Sequence, residues 1–223
     1  MTEFLNPGLN EMKVIPSILT SSEKELSEMI GRCYGVVERV SVDIIDGKFK
    51  DNRTIDPVSL SGIESYPKID YHLMVDEPVG WIEKCIKGKA DRIIGHIEEM
   101  SDKDTFIGQV AGFGKGAGLA WDLETPVEDI NLEIFEKIDL ALVMCVPSGF
   151  GGQKFQKKAF DKIKKLSYIR KRVGGGFLIH ADGGITCDNI KKVSDAGADE
   201  VSVGRRLFDG DLKRNINTFY KSL

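Results

Sequence analysis

Residues 175–204 read GGFLIHADGGITCDNIKKVSDAGADEVSVG and hold one complete strand–helix–strand unit. Two short apolar runs, 175–182 and 198–204, flank a segment with helical spacing at 185–197. Alternating units of this kind place parallel strands in one sheet, with the helices packed on its outside. This stretch therefore predicts a parallel α/β fold.

The same alternation of strand and helix runs through the whole chain. Further strand-like runs rich in β-branched residues lie at 14–19, 36–44, 68–75, 90–97, 116–123 and 138–146. Segments with helical spacing lie between them, among them 57–66 and 126–137. Eight units in 223 residues, without an evident domain boundary, fit a single-domain (β/α)8 TIM barrel. The alternative is a doubly wound open sheet, but its nucleotide-binding motif GxGxxG does not follow the first predicted strand of this chain. We interpret residues 1–11 as an N-terminal extension and residues 12–223 as the barrel.

Composition narrows the range of partners. The net charge is -4, and the lysines alternate with acidic residues, so a nucleic-acid surface is not favoured. The apolar runs have the length of strands, too short to span a membrane, and the first residues do not form a secretory signal. Four widely spaced cysteines form no CxxC pair and indicate a reducing compartment. We therefore expect a cytoplasmic protein that binds neither nucleic acid nor membranes.

Polar and sulfur-containing side chains stand near the carboxyl ends of the predicted strands, where a barrel forms its active site. They are Ser17, Ser41, Asp43, His72, Met74, His96, Met144, His180 and Asp182. Because side chains alternate along a strand, Asp43, His72 and Asp182 can converge near the barrel axis. Such a group indicates either a metal site or an acid–base pair. His96 is interpreted as a hydrogen-bonded residue that orients the following loop.

Three glycine-rich loops follow the last three strands, and they read SGFGGQKF (148–155), DGGIT (182–186) and VGRR (203–206). Glycine allows backbone N–H groups to approach an anion closely. The loops after strands seven and eight are the usual phosphate site of this fold. Arg205 could add a charged contact to phosphate, or it could be a solvated arginine at the start of a helix.

With these motifs, residues 13 to about 209 resemble the ribulose-phosphate 3-epimerase family of (β/α)8 barrels. The resemblance lies in PSIL (16–19), DIIDGKF (43–49), HLMV (72–75), ETPVE (124–128), GFGGQKF (149–155) and DGGI (182–185). It implies a ketose-phosphate 3-epimerase, acting on D-ribulose 5-phosphate and D-xylulose 5-phosphate or a related pair. It also implies a divalent metal cofactor (zinc, manganese, cobalt or iron) and a homo-oligomer.

The resemblance also assigns roles to single residues. Asp43 and Asp182 match the two acid–base aspartates, which also bind metal, and His72 matches a metal-binding histidine at the substrate. The remaining matches are substrate contacts: Ser17, Met74, Met144, the phosphate-loop glycines Gly149, Gly151, Gly152, Gly183, Gly184 and Gly204, and Arg205, which matches the related decarboxylases rather than the epimerases.

One metal-binding position departs from the family pattern. Ser41 stands where the family has a histidine that is the fourth metal ligand. One hypothesis is that His180 supplies the missing imidazole, because it precedes Asp182 as Ser41 precedes Asp43. The alternative is that His180 packs inside the barrel against polar neighbours. Two functions stay open: an active epimerase, or a catalytically weakened sugar-phosphate-binding or regulatory barrel.

Overall fold

Eight parallel strands close into a barrel in the order of the sequence, which confirms the predicted (β/α)8 architecture. The computed structural model describes residues 12–62 and 67–223, so the predicted extension 1–11 lies outside the described residues. The strands are β1 (Lys13–Ile18), β2 (Arg39–Ile45), β3 (Lys68–Met74), β4 (Ala90–His96), β5 (Gly116–Trp121), β6 (Leu140–Met144), β7 (Leu178–Asp182) and β8 (Glu200–Val203).

Helices of unequal length cover the barrel. They are α1 (Glu23–Cys33), α2 (Ile82–Lys87), α3 (Lys103–Gly112), α4 (Ala159–Val173), α5 (Ile190–Asp195), α6 (Arg205–Phe208) and α7 (Leu212–Tyr220). Short 3-10 helices lie at Pro57–Leu60, Pro78–Trp81, Val127–Asp129 and Leu132–Glu136. No helix in the described ranges is both long and apolar enough to cross a membrane.

The prediction of a helix over 126–137 is wrong, because this segment forms two separate 3-10 turns. Ile130 is extended between them, and the side chain of Asn131 accepts a hydrogen bond from the Glu133 N–H, which starts a second turn. Asparagine side chains compete in this way with continuous helix. The segment predicted after β2 likewise begins with only one 3-10 turn at Pro57–Leu60.

Strand β2 shows how the sequence separates the inside of the barrel from the outside. Val40, Val42 and Ile44 are buried in the core cluster that also includes side chains of the surrounding helices. Asp43 lies on the opposite face of the strand, inside the barrel, because successive side chains alternate. Both faces are buried, so the few polar residues of these strands mark the barrel interior.

The barrel interior contains polar groups at both ends and a cluster of buried apolar side chains. This cluster comprises Ile94, Ala120, Leu140, Leu142, Met144 and Val146. Towards the N-terminal end of the strands lie Asp70, Arg92 and Glu200, which are all buried. At the C-terminal mouth, Asp43 pairs in register with His72. The mouth and the opposite end are therefore chemically distinct.

Candidate active site

Two carboxylates and one imidazole meet at the mouth of the barrel. The Nδ1 atom of His72 lies 3.1 Å from Oδ1 of Asp43 and 3.4 Å from Oδ2 of Asp182. The hydroxyl of Ser17 donates a hydrogen bond of 2.9 Å to the other oxygen of Asp43. His72 is fully buried, and the exposed fractions of Asp43 and Asp182 are only 4% and 9%. The structure therefore brings together the three residues predicted as the centre of the site.

The charges of this cluster are unbalanced. Burial raises the pKa of Asp43, against the lowering effect of its hydrogen bond with His72. Burial would lower the pKa of His72, but its hydrogen bonds with Asp182 and Asp43 outweigh burial and raise this pKa to about 9. Two carboxylates thus share a single titratable imidazole, and the cluster stabilises any further positive charge placed among them.

The cluster also fits a divalent metal ion. Asp43, His72 and Asp182 each offer a ligand atom, and these atoms all lie within 4.8 Å of one another. In residues 12–62 and 67–223, no other three histidine, cysteine or acidic side chains bring their ligand atoms this close together. Carboxylate oxygens with an imidazole suit zinc and other divalent transition metals. Three protein ligands would leave coordination positions for water or substrate.

His180 does not join this cluster. Its Nε2 atom lies 2.8 Å from the hydroxyl of Ser202, and its Nδ1 atom lies 3.3 Å from Oε2 of Glu200. Both ring nitrogens therefore have partners in the barrel interior, which matches the second interpretation of this residue rather than a metal ligand. Ser41 is buried on β2, where it pairs in register with Ser17 and Asp70.

A second histidine, His96, contacts the cluster from β4. Its Nε2 atom lies 3.0 Å from Nε2 of His72, and its Nδ1 atom lies 2.9 Å from Oε2 of Glu98. Burial lowers the pKa of His96, which favours its neutral form. Burial opposes ionisation of Glu98, but the hydrogen bond with His96 and further contacts lower its pKa to about 2. Sequence reasoning missed Glu98, although its position two residues after His96 was the available signal.

A cavity of about 160 Å³ opens beside the cluster. Every predicted substrate contact except His72 lines it: Ser17, Met74, Met144, Gly149, Gly151, Gly152, Gly183, Gly184, Gly204 and Arg205. Glu25, Met29 and Phe150 also line the cavity and were not predicted. Asp43 and Asp182 form part of its wall, so a molecule in the cavity can reach both carboxylates.

Close packing explains the paired glycines after β7. Gly183 and Gly184 have φ values of 104° and 67°, a conformation that favours glycine. A Cβ atom on Gly184 would lie 2.4 Å from the backbone nitrogen of Phe155. The loop after β7 is thus packed directly against the loop after β6.

The loop after β6 is also tied to the loop after β2. Asp122, at the end of β5, accepts hydrogen bonds from Nζ of Lys50 at 2.7 Å and from the hydroxyl of Ser148 at 2.9 Å. The amide of Asn52 donates to the carbonyl of Gly149 at 2.7 Å. Burial opposes ionisation of Asp122, but the bond with Lys50 lowers its pKa to about 2. We call Lys50, Asp122 and Ser148 the loop anchor.

Comparison with known proteins places this chain in a family. Residues 13–208 match the model of the ribulose-phosphate 3 epimerase family. Ribulose-phosphate 3-epimerase of Bacillus subtilis (strain 168) is 32% identical over 211 residues, covering 92% of this chain and 97% of the relative. The enzyme of the same name from Treponema pallidum (strain Nichols) is 34% identical over 176 residues, covering 78% and 80%.

Solved structures add a likeness of fold. The 3-keto-L-gulonate-6-phosphate decarboxylase of Vibrio cholerae has a TM-score of 0.68 at 11% identity, covering 96% of this chain and 97% of that one. Phosphoribosyl anthranilate isomerase of Thermus thermophilus has a TM-score of 0.59 at 13% identity, covering 95% and 98%. At such low identity these structures show the common barrel alone. The sequence matches go further, and they show that the chain belongs to the ribulose-phosphate 3-epimerase family.

Proposed function

We propose that this protein is a ketose-phosphate 3-epimerase that interconverts D-ribulose 5-phosphate and D-xylulose 5-phosphate, or a closely related pair. One observation carries the proposal. Asp43 and Asp182 come from strands that are not neighbours, yet both approach Nδ1 of His72 and line the same cavity. Inversion at one carbon needs an acid–base group on each of its faces, and two such carboxylates supply them.

In the proposed mechanism, the two aspartates exchange a proton with carbon 3 of the substrate. One carboxylate removes the proton alpha to the ketone, which creates an enediolate, and the other returns a proton to the opposite face. The hydroxyl of Ser17 holds Asp43 in place through its hydrogen bond. Met74 and Met144 line the cavity with apolar surface, which excludes water from the reacting carbon.

A divalent metal held by Asp43, His72 and Asp182 would act as a Lewis acid that stabilises the negative charge of the enediolate. The candidate metals are zinc, manganese, cobalt and iron. The glycine loops and Arg205 bind the phosphate group, at the part of the cavity formed by the ends of β7 and β8. The homo-oligomer and the cytoplasmic location expected from the sequence stay predictions.

The second candidate is a sugar-phosphate-binding or regulatory barrel with weakened catalysis. Ser41 favours it, because a hydroxyl replaces the imidazole expected at that position. The two candidates differ in turnover. The test is to strip the purified protein of metal, reload it separately with each of the four metals, and measure conversion of D-ribulose 5-phosphate. Turnover with at least one metal supports the epimerase. Calorimetric binding of the substrate without turnover under any of these conditions supports the second candidate.

A further inference from the structure

We propose that Glu98 and His96 are positioning residues that fix the tautomer of His72, so that its Nδ1 atom offers a lone pair to a divalent cation held with Asp43 and Asp182. The inference deepens the proposed function, because it rests on the metal site of the same cluster. It concerns two residues that lie behind His72 rather than in the cavity wall.

The two imidazole rings meet edge to edge. Nε2 of His72 lies 3.0 Å from Nε2 of His96, whereas the ring centroids are 5.1 Å apart. Rings stacked face to face would not bring these two atoms so much closer together than the centroids. The angle between the ring planes is 24°, so each nitrogen lone pair or N–H points along the contact. One nitrogen must therefore donate and the other must accept.

Glu98 decides the direction of this hydrogen bond. An ionised carboxylate only accepts hydrogen bonds, so the Nδ1 atom of His96, 2.9 Å from Oε2 of Glu98, must carry the proton. The other oxygen of Glu98 accepts the backbone N–H of Asp122 at 2.7 Å, which fixes the orientation of the carboxylate. A neutral His96 then has a bare Nε2 atom. His72 must donate from its own Nε2, which leaves its Nδ1 unprotonated in the neutral ring.

This arrangement presents three acceptors to one point. In the neutral ring the bare Nδ1 of His72 faces oxygens of Asp43 at 3.1 Å and Asp182 at 3.4 Å, so either a proton or a metal cation bound among them satisfies all three acceptors. His180 differs, because its ring lies between a carboxylate of Glu200 and a hydroxyl of Ser202 that can either donate or accept. The chain of Glu98 and His96 thus gives His72 the form that a metal ligand requires.

The substitution Glu98→Gln tests the inference, because it preserves size and reverses the hydrogen bonds. The amide oxygen takes the N–H of Asp122, and the amide NH2 group then donates to Nδ1 of His96. His96 would consequently donate from Nε2 to His72 and force a proton onto Nδ1 of His72. His96→Gln is the variant that keeps the direction of both hydrogen bonds. Its amide oxygen still accepts from His72, and its NH2 group donates to Glu98. Glu99→Gln, one residue further along the same loop, is the matched control.

Two measurements without substrate decide the outcome. Imidazole ¹⁵N NMR of the metal-free protein should show His96 protonated at Nδ1 in wild type and at Nε2 in Glu98→Gln; assignment is practicable because the chain has 3 histidines. Zinc titration by calorimetry should show an affinity about 10–100-fold lower in Glu98→Gln, and near wild type in His96→Gln and Glu99→Gln. A wild-type His96 protonated at Nε2, or unchanged zinc affinity in Glu98→Gln, would overturn the inference. Because neither measurement involves turnover, a failed epimerase assay would leave this result intact.

Discussion

Two buried clusters of carboxylates lie at opposite ends of the barrel interior, and they differ in the cations that accompany them. At the N-terminal end, Asp70 bonds to both Arg39 and Arg92, and Arg92 also contacts Glu200 at 2.7 Å. Guanidinium groups keep their charge at every physiological pH, so these carboxylates are permanently matched. Burial opposes ionisation of Glu200, but His180 and Arg92 hold its pKa well below the usual range.

At the mouth, Asp43 and Asp182 have no arginine or lysine partner among the described residues. Their shared partner is His72, whose charge depends on a proton that a metal can replace. The difference teaches that the N-terminal cluster has a structural role, whereas the mouth has exchangeable charge. Exchangeable protons and cations are what the proposed proton transfer requires.

The largest expected effect concerns the mouth. Replacing either aspartate, by Asp43→Asn or Asp182→Asn, removes an acid–base group and should lower turnover by about a hundredfold to ten-thousandfold. The folded protein should persist, because each change removes one of two like charges. Steady-state conversion of D-ribulose 5-phosphate, beside thermal unfolding of the metal-free protein, measures both properties. Near-normal turnover in both variants would rule out the assignment.

The opposite result is expected at the N-terminal end. Arg92→Met leaves Asp70 and Glu200 with fewer partners and should lower the free energy of unfolding by about 3–5 kcal/mol. Turnover per folded molecule should stay close to wild type, because Arg92 does not line the cavity with Asp43. Urea unfolding gives the free energy of unfolding. Steady-state conversion of D-ribulose 5-phosphate, divided by the concentration of folded protein, gives the turnover per folded molecule. Arg172 is exposed, so Arg172→Met is the control. Equal stability of the two variants would contradict the structural role of Arg92.

The loop anchor predicts a pH dependence of stability. The folded-state pKa of Asp122 is about 2, below its ordinary value of 3.8, so its contribution is present above about pH 4 and lost as pH falls towards 2. Asp122→Asn should therefore lower the free energy of unfolding by about 2 kcal/mol at pH 6, and the difference from wild type should shrink towards pH 2. Urea unfolding across this range measures it. A difference independent of pH would show that the anchor acts through packing instead.

The smallest effect concerns the phosphate loops. Arg205 is exposed at the edge of the cavity, so its contact with phosphate is partly screened by solvent. Arg205→Ala should raise KM about tenfold with little change in kcat, since phosphate binds equally in the ground and transition states. Arg172→Ala, outside the cavity, should leave KM unchanged. An unaltered KM in Arg205→Ala would identify this residue as a solvated arginine.

Much of the fold was predictable because its signals are local. All eight strands were located from apolar runs. Asp43, His72 and Asp182 were then found as polar residues near the carboxyl ends of these runs. The convergence of these three residues follows from the alternation of side chains along a strand and from the single mouth at which all strands of a parallel barrel end. The helix over 126–137 was not predicted correctly, since side-chain capping by Asn131 overrode the helical spacing.

The remaining part of the site depends on contacts between distant segments. His96 and Glu98 could be placed near a strand end, but only the register of β3 and β4 shows that His96 reaches His72. The bond between Lys50 and Asp122 joins residues 72 positions apart and leaves no periodic pattern. The partners of His180 come from β8, so its role could not be settled from β7 alone.

Exchange of the proton at carbon 3 tests most directly whether the mouth carboxylates move a proton. The measurement is NMR of D-ribulose 5-phosphate incubated in D2O with the metal-loaded protein. We predict that D-xylulose 5-phosphate forms with solvent deuterium at carbon 3, and that Arg92→Met per folded molecule behaves as wild type. Asp43→Asn and Asp182→Asn should each slow formation of the labelled epimer by at least about a hundredfold. Epimer formed without deuterium at carbon 3, or labelling at the wild-type rate in both aspartate variants, would contradict the account.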